Sequence, residues 1–109
     1  MAISYKVLGQ EAPSATTDTV VYTVPAATEA IVSTIVVANR AAASGTFRIA
    51  VRPNGDSLVN KHYIAYDAPI SPNDATTLTL GITMDATDVI SVYCSSADMS
   101  VNVFGSEIS

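Results

Sequence analysis

Residues 29–39 read EAIVSTIVVAN, and apolar residues occupy both sides of the two-residue period of a β-strand in this stretch. One side carries Ile31, Ile35 and Val37, and the other carries Val32, Val36 and Ala38. Such a pattern is typical of a strand that neighbours cover on both faces. We therefore expect residues 29–39 to form the central strand of the fold.

The same alternation continues on both sides of this stretch, and helical spacing is nearly absent. Turn-forming segments separate the alternating runs: AAASG at 41–45, PNGD at 53–56, APISPND at 68–74 and MDATD at 84–88. About eight strand candidates result, at the spacing typical of sandwiches and barrels. The sequence predicts a single domain over residues 1–109, an all-β antiparallel β-sandwich of jelly-roll type.

The Asn54-Gly55 pair is the strongest short-range signal, because both residues readily adopt positive φ. It predicts a tight hairpin in which residues 47–52 fold back against residues 57–66.

The stretch GDSLVNKH at 55–62 contains four letters that name a family of serine esterases, and His62 is the only histidine of the chain. In those enzymes the serine begins a helix after a strand, and the histidine follows a distant aspartate. On a strand that rises ~3.3 Å per residue, Ser57 and His62 would lie about 16 Å apart on opposite faces. Phosphate loops, dinucleotide fingerprints and paired catalytic carboxylates are also missing. We expect a non-enzymatic protein without a cofactor.

The sequence predicts no metal site. His62 and Cys94 cannot form a tetrahedral ligand set by themselves. Calcium bound by Asp85, Asp88 and Asp98 is the alternative, but each of these residues also suits a turn beside a strand end. A single cysteine excludes an intrachain disulfide, and we expect Cys94 to be a buried, unreactive thiol.

Charged residues make up only 14% of the chain, hydrophobic residues 49%, and the formal net charge is −5. This balance disfavours nucleic-acid binding, which requires clustered Lys and Arg. A neutral surface suits burial against neighbouring subunits, although a monomer coated with Ser and Thr is equally compatible. No leader pattern opens the chain, and no run approaches the ~20 apolar residues that span a bilayer. We expect synthesis in a cytoplasm and no membrane partner.

Three segments, VYTVPAATEAIVSTIVVANRAAASGTFRIAVRP (21–53), NKHYIAYDAPISPNDATTLTLGITMDATDVISVY (60–93) and NVFGSEIS (102–109), carry a family resemblance. Over residues 18–109 the chain resembles small virion structural proteins of tailed bacteriophages, particularly those of cyanobacterial and marine phages. The resemblance implies a protein of the virion, made in the host cytoplasm. It implies a capsid decoration or cement protein, often a trimer, that stabilises the shell by covering joints between coat subunits. A tail, neck, baseplate or fibre component is the alternative.

Interfaces of such a protein would use large residues on strand faces that the core does not need. We expect Arg48, Arg52, Tyr63 and Tyr66 at contacts with a second copy, in a trimer or ring, or with the major capsid protein. Because Tyr63 and Tyr66 are three residues apart, we expect opposite faces of one strand, with one ring in the core. The C-terminal GSEIS (105–109) is expected to be an arm that reaches a neighbour.

For a virion protein we expect no small-molecule substrate. A receptor-binding or carbohydrate-binding sandwich is a further hypothesis. It predicts aromatic residues clustered on end loops. The four turn segments named above contain none, which disfavours this function.

Overall fold

Strands rich in Val, Ile and Thr form most of the chain, as β-branched side chains pack well on a pleated surface. The structure is a computed structural model that describes residues 2–109, so Met1 of the predicted domain lies outside it. Its strands are β1 (Ile3–Glu11), β2 (Thr19–Thr23), β3 (Glu29–Asn39), β4 (Gly45–Arg52), β5 (Tyr63–Ile70), β6 (Ala75–Met84), β7 (Val89–Cys94) and β8 (Met99–Ile108). Between β4 and β5 lie two short 3-10 turns, Pro53–Gly55 and Asn60–His62.

The strands form two antiparallel sheets. The first sheet has the order β1-β8-β3-β6, and the second has the order β2-β7-β4-β5. Pairing is nested, because β1 pairs with β8, β2 with β7, β3 with β6 and β4 with β5. The chain is thus one long hairpin with its tip between β4 and β5, wound so that successive pairs alternate between the sheets. This topology is a jelly roll, which confirms the predicted fold class.

One continuous apolar core fills the space between the sheets. Its largest fully buried side chains include Phe47, Ile35, Ile49 and Ile90. Cys94 is also fully buried, and burial raises the pKa of its thiol to about 11. The prediction that Cys94 is buried is therefore confirmed.

Strand β3 is internal in the first sheet, between β8 and β6, as predicted. The prediction that both of its faces are buried is wrong. The register shifts between Val32 and Thr34, so a bulge at Ser33 reverses the facing of the residues that follow. Val32 and Ile35 therefore both enter the core, whereas Ile31 is 39% exposed on the outer face.

The C-terminal residues do not form an arm. Residues 105–108 belong to β8, which lies between β1 and β3 and pairs with both. Ala2 and Ser109 continue the pairing, with backbone N–H to oxygen distances of 2.7 and 2.9 Å. The prediction that GSEIS is an arm reaching a neighbour is wrong, because the strand that begins at Met99 continues through Ile108.

The β4–β5 pairing confirms the predicted hairpin, but its connection is not tight. Asn54 and Gly55 do have positive φ, 53° and 67°. The backbone N–H of Asn54 donates to Asp88 Oδ1 at 2.8 Å, so this turn is attached to the β6–β7 loop. The returning strand begins only at Tyr63, and residues 53–62 form a long connection beside the second sheet.

Candidate interaction surfaces

Aromatic and charged side chains gather on the outer face of the second sheet. The rings of Tyr63 and Tyr66 contact edge to face, with centroids 4.8 Å apart and an interplanar angle of 81°. The guanidinium of Arg48 lies 4.2 Å from the ring centroid of Tyr66 and 4.4 Å from that of Tyr93. Both distances are within the range of cation–π attraction. We call Arg48, Tyr63, Tyr66, Asp67 and Tyr93 the tyrosine–arginine cluster.

Irregular pairing in β5 places both tyrosines on one face. In β4, Ala50 pairs with Tyr63 and the adjacent Ile49 pairs with Ala65. Ile64 is therefore an extra, bulged residue of β5. The prediction that Tyr63 and Tyr66 lie on opposite faces is therefore wrong, and neither ring belongs to the core. Tyr66 is 57% exposed.

The strand pairing also explains how the cluster acquires Tyr93. Arg48 and Tyr93 are directly paired across β4 and β7. Sequence reasoning missed Tyr93, although its position in VISVYC, one residue before the buried Cys94, indicates an outward-facing side chain.

Asp67 holds Arg48 in place. The Arg48 Nε and Nη2 atoms donate to Asp67 Oδ1 and Oδ2 at 2.7 and 3.3 Å. This hydrogen bond is the largest cause of a raised pKa for Arg48. Asp67 has a φ of 48° and is the one non-glycine residue of the described chain with positive φ inside a strand. Such a conformation costs about 1–3 kcal/mol and is often found where a site must be pre-organised.

A concave depression adjoins the cluster. It has a volume of about 330 Å³ and is lined by Asn60, Tyr63 and Tyr66. Asn60 lies in the second 3-10 turn of the 53–62 connection and is exposed. The depression therefore combines two aromatic rings with one amide that solvent can reach.

Arg52, the fourth expected interface residue, has a different environment. Arg52 Nε, His62 Nε2 and Ser91 Oγ are buried polar atoms without a hydrogen-bond partner within the described residues. Ala50 pairs with both Ser91 and Tyr63, so these groups lie around one position of the outer face. Arg52 therefore lies near these buried polar groups, and none of the contacts that define the tyrosine–arginine cluster involves it.

The ~16 Å separation of Ser57 and His62 was calculated for a β-strand. The 55–62 stretch is not a strand, so that calculation does not apply. His62 is only 4% exposed, and its Nδ1 accepts a hydrogen bond from the Val59 backbone N–H at 3.1 Å. Its proton therefore resides on Nε2, which is buried. Ser57 is exposed, and no hydrogen bond joins it to His62 in the described part of the chain. This histidine anchors a loop.

The three aspartates considered for calcium do not converge. Asp88 accepts hydrogen bonds from the backbone N–H groups of Asn54 and Asp85 at 2.8 and 2.9 Å, so it fastens two loops together. Asp98 lies in the β7–β8 connection at the opposite end of the sandwich. Residues 2–109 contain no group of three potential metal ligands and no helix with the length and hydropathy of a membrane span.

A second surface lies on the outer face of the first sheet, along the edge strand β1. Ile3, Tyr5 and Val7 are 54%, 84% and 48% exposed. Tyr5 pairs with Ser106, which in turn pairs with Ile31, so these side chains share one face. A depression of about 520 Å³ runs among them and is lined mainly by Tyr5, Val7, Ile31 and Phe104. We call Ile3, Tyr5, Val7, Ile31 and Phe104 the apolar band.

The start of β1 is inverted with respect to the core. Lys6 pairs with Gly105, and Gly105 pairs with the fully buried Val32, so Lys6 lies on the core side of the sheet. The apolar side of the alternation, with Tyr5 at its centre, faces away from the core. Alternation alone could not reveal this, because the period is the same whichever side faces inward.

Comparison with family models, with curated proteins and with solved structures finds no match to this chain.

Proposed function

We propose that this chain is a non-enzymatic structural protein of a tailed-bacteriophage particle, and that it acts as a capsid decoration, or cement, protein. In this function it is bound to the virion, where it stabilises the shell by contacting the major capsid protein and further copies of itself. The resemblance of residues 18–109 to small virion proteins supports the proposal. Jelly rolls are also a common architecture of capsid domains.

The inversion of β1 is the observation that carries the proposal. A strand normally turns its apolar side to the core, since burial is worth about 25 cal/mol per Å² of apolar surface. Here that side, with Tyr5 84% exposed, faces outward. Contiguous exposed apolar patches mark sites of protein contact, so we infer that a neighbouring subunit covers the apolar band.

The chemistry around the band favours a protein neighbour. Lys6, on the other face of β1, forms an ion pair with Glu107 across 2.5 Å, so its charge is partly neutralised and attracts a polyanion less strongly. The low charge content of the chain, 14%, is consistent with a surface that becomes buried on assembly.

The test compares two substitutions of exposed tyrosines. Tyr5→Ser alters the apolar band, and Tyr66→Ser alters the opposite sheet and serves as the matched control. Native mass spectrometry over a dilution series measures self-association, and cosedimentation with particles purified from the encoding phage measures attachment. We expect Tyr5→Ser to weaken self-association and attachment at least about tenfold, because a tyrosine that becomes buried in an interface is a typical hot spot. The control should retain both properties.

Electron microscopy with a gold-labelled antibody then locates the protein. Label on the head supports the decoration function. Label on the tail or neck would replace it with a tail component, and particles without label would contradict a virion protein altogether. Equal attachment by Tyr5→Ser and the wild type would show that the apolar band is not the docking face.

A further inference from the structure

The geometry points to a carbohydrate-binding site at the depression between Asn60, Tyr63 and Tyr66, with a neutral sugar as its ligand. This site lies on the second sheet and is independent of the apolar band. It adds a binding activity to the proposed structural function and does not depend on it.

The shape of the site suits a sugar ring. The volume of about 330 Å³ lies at the lower end of the range of about 300–1,000 Å³ for small-molecule sites. Tyr63 and Tyr66 stand at 81° to each other, so together they form a corner. A pyranose has an apolar face of C–H groups that packs on an aromatic ring, and hydroxyl groups around its rim.

The polar groups at the rim suit those hydroxyls. Asn60 makes no side-chain hydrogen bond in the described part of the chain, so its amide can both donate and accept. Tyr63 and Tyr66, which line the same depression, each carry a phenol that can donate and accept. A purely apolar contact would not require these hydrogen-bonding groups.

The electrostatics favour a neutral sugar over an acidic one. The only cation of the cluster is Arg48, and Asp67 already binds its guanidinium through two nitrogen atoms. Tyr66 and Tyr93 cover the guanidinium further, at 4.2 and 4.4 Å. The formal net charge of −5 also repels anions.

The rings are held before any ligand arrives. The guanidinium of Arg48 packs on the ring face of Tyr66 and restrains this ring. Asp67, whose backbone is strained, restrains Arg48 through two hydrogen bonds. Pre-organised groups bind more tightly because less conformational entropy is lost. An extended peptide is a poorer candidate, since Pro69 lacks an N–H and β5 is bulged, so this edge is unsuited to strand addition.

The experiment is a titration followed by NMR. Protein labelled on its tyrosine rings is titrated to millimolar concentrations with neutral tetrasaccharides of glucose, galactose, mannose and N-acetylglucosamine, and with a sialylated trisaccharide. The variants are Tyr66→Ala, which removes one wall of the depression, and Tyr5→Ala, which removes an exposed tyrosine ring on the other sheet. Thermal unfolding verifies that both variants are folded.

We expect at least one neutral sugar to shift the ring signals of Tyr63 and Tyr66 and to leave Tyr5 unchanged. Tyr66→Ala should weaken this binding about tenfold or more, and Tyr5→Ala should not alter it. The proposal is overturned if no neutral sugar shifts these rings, if the sialylated sugar binds better, or if Tyr66→Ala binds normally. Loss of particle attachment in Tyr66→Ala without any sugar-induced shift in the parent protein would make the cluster a protein contact instead.

Discussion

The hydroxyl of Tyr22 in β2 donates a 2.6 Å hydrogen bond to Glu107 Oε2 in β8, and this contact links the two sheets at the rim of the core. Lys6 in β1 binds the other carboxylate oxygen. Burial and, second, the hydrogen bond to Glu107 raise the pKa of the Tyr22 phenol. The hydrogen bonds from Lys6 and, second, from Tyr22 lower the pKa of Glu107. Lys6, on the polar side of the inverted β1, therefore contributes to the contact at this rim.

Glu107→Gln should make stability less dependent on acid pH. Because the pKa of Glu107 is lowered in the folded state, its ionised form stabilises the fold above the unfolded value of about 4.3. That contribution disappears as the pH falls through the lower folded pKa. Urea unfolding from neutral to acid pH should show the wild type more stable by about 1–2 kcal/mol at neutral pH, with the difference closing at acid pH. Glu11→Gln is the control, and a constant difference would contradict the assignment.

Gly105→Ala should destabilise the first sheet. A Cβ at this position would meet the backbone oxygen of Ile31, with another backbone atom, Val32 Cα, 3.0 Å away, so the strands would have to separate. We expect a loss of about 2 kcal/mol or more in the free energy of unfolding. Ser106→Ala, one residue further along β8, should change it by less than about 0.5 kcal/mol. Equal denaturation midpoints for the two variants would show that β3 and β8 are not packed this closely.

Ser57→Ala and His62→Ala should differ in stability and agree in lacking esterase activity. Ser57 is exposed, so its substitution should change stability by less than about 0.5 kcal/mol. His62 is buried and accepts from Val59, so its loss should cost about 2 kcal/mol. Thermal unfolding and hydrolysis of a chromogenic ester measure the two properties. If the wild type hydrolyses the ester and either substitution abolishes this activity, the protein is an enzyme and the proposed function is contradicted.

Arg48 and Tyr66 should be energetically coupled. A double-mutant cycle with Arg48→Met and Tyr66→Leu isolates the contact between the guanidinium and the ring. We expect a coupling energy of about 0.5–1 kcal/mol in urea unfolding, as found for cation–π pairs near the surface. The pair Arg48 and Tyr5, on opposite sheets, provides the reference cycle, for which coupling should be absent. Equal coupling energies in the two cycles would show that the contact between Arg48 and Tyr66 makes no specific contribution to stability.

Strand content and topology class followed from the sequence because period-two alternation and turn residues are local signals. Each error of facing arises at a bulge. Ser33 reverses the facing of β3, and Ile64 brings Tyr63 and Tyr66 to the same side. A bulge adds one residue to a strand without leaving a distinct residue pattern, so counting along the chain assigns the wrong face beyond it.

The interaction surfaces were predictable only in part. Arg48, Tyr63 and Tyr66 were expected at an interface by residue type, and the structure brings them together. Their contact with a partner stays a prediction, and the subunit contact that we propose lies on the other sheet, at the apolar band. The apolar band escaped notice because Tyr5 alternates like any core residue. Which side of β1 faces outward depends on its pairing with β8, almost the whole chain away.

The central place of β8 in the first sheet also governs how the protein can be made. Until residues 99–108 have been synthesised, β1 has no partner in its sheet and β3 is paired only with β6, because β8 lies between β1 and β3. During translation the nascent chain therefore carries two unpaired edges, one of them bearing Tyr5 and its apolar neighbours. The first sheet can therefore be completed only after β8 has been synthesised, and truncation within β8 should yield an aggregating chain.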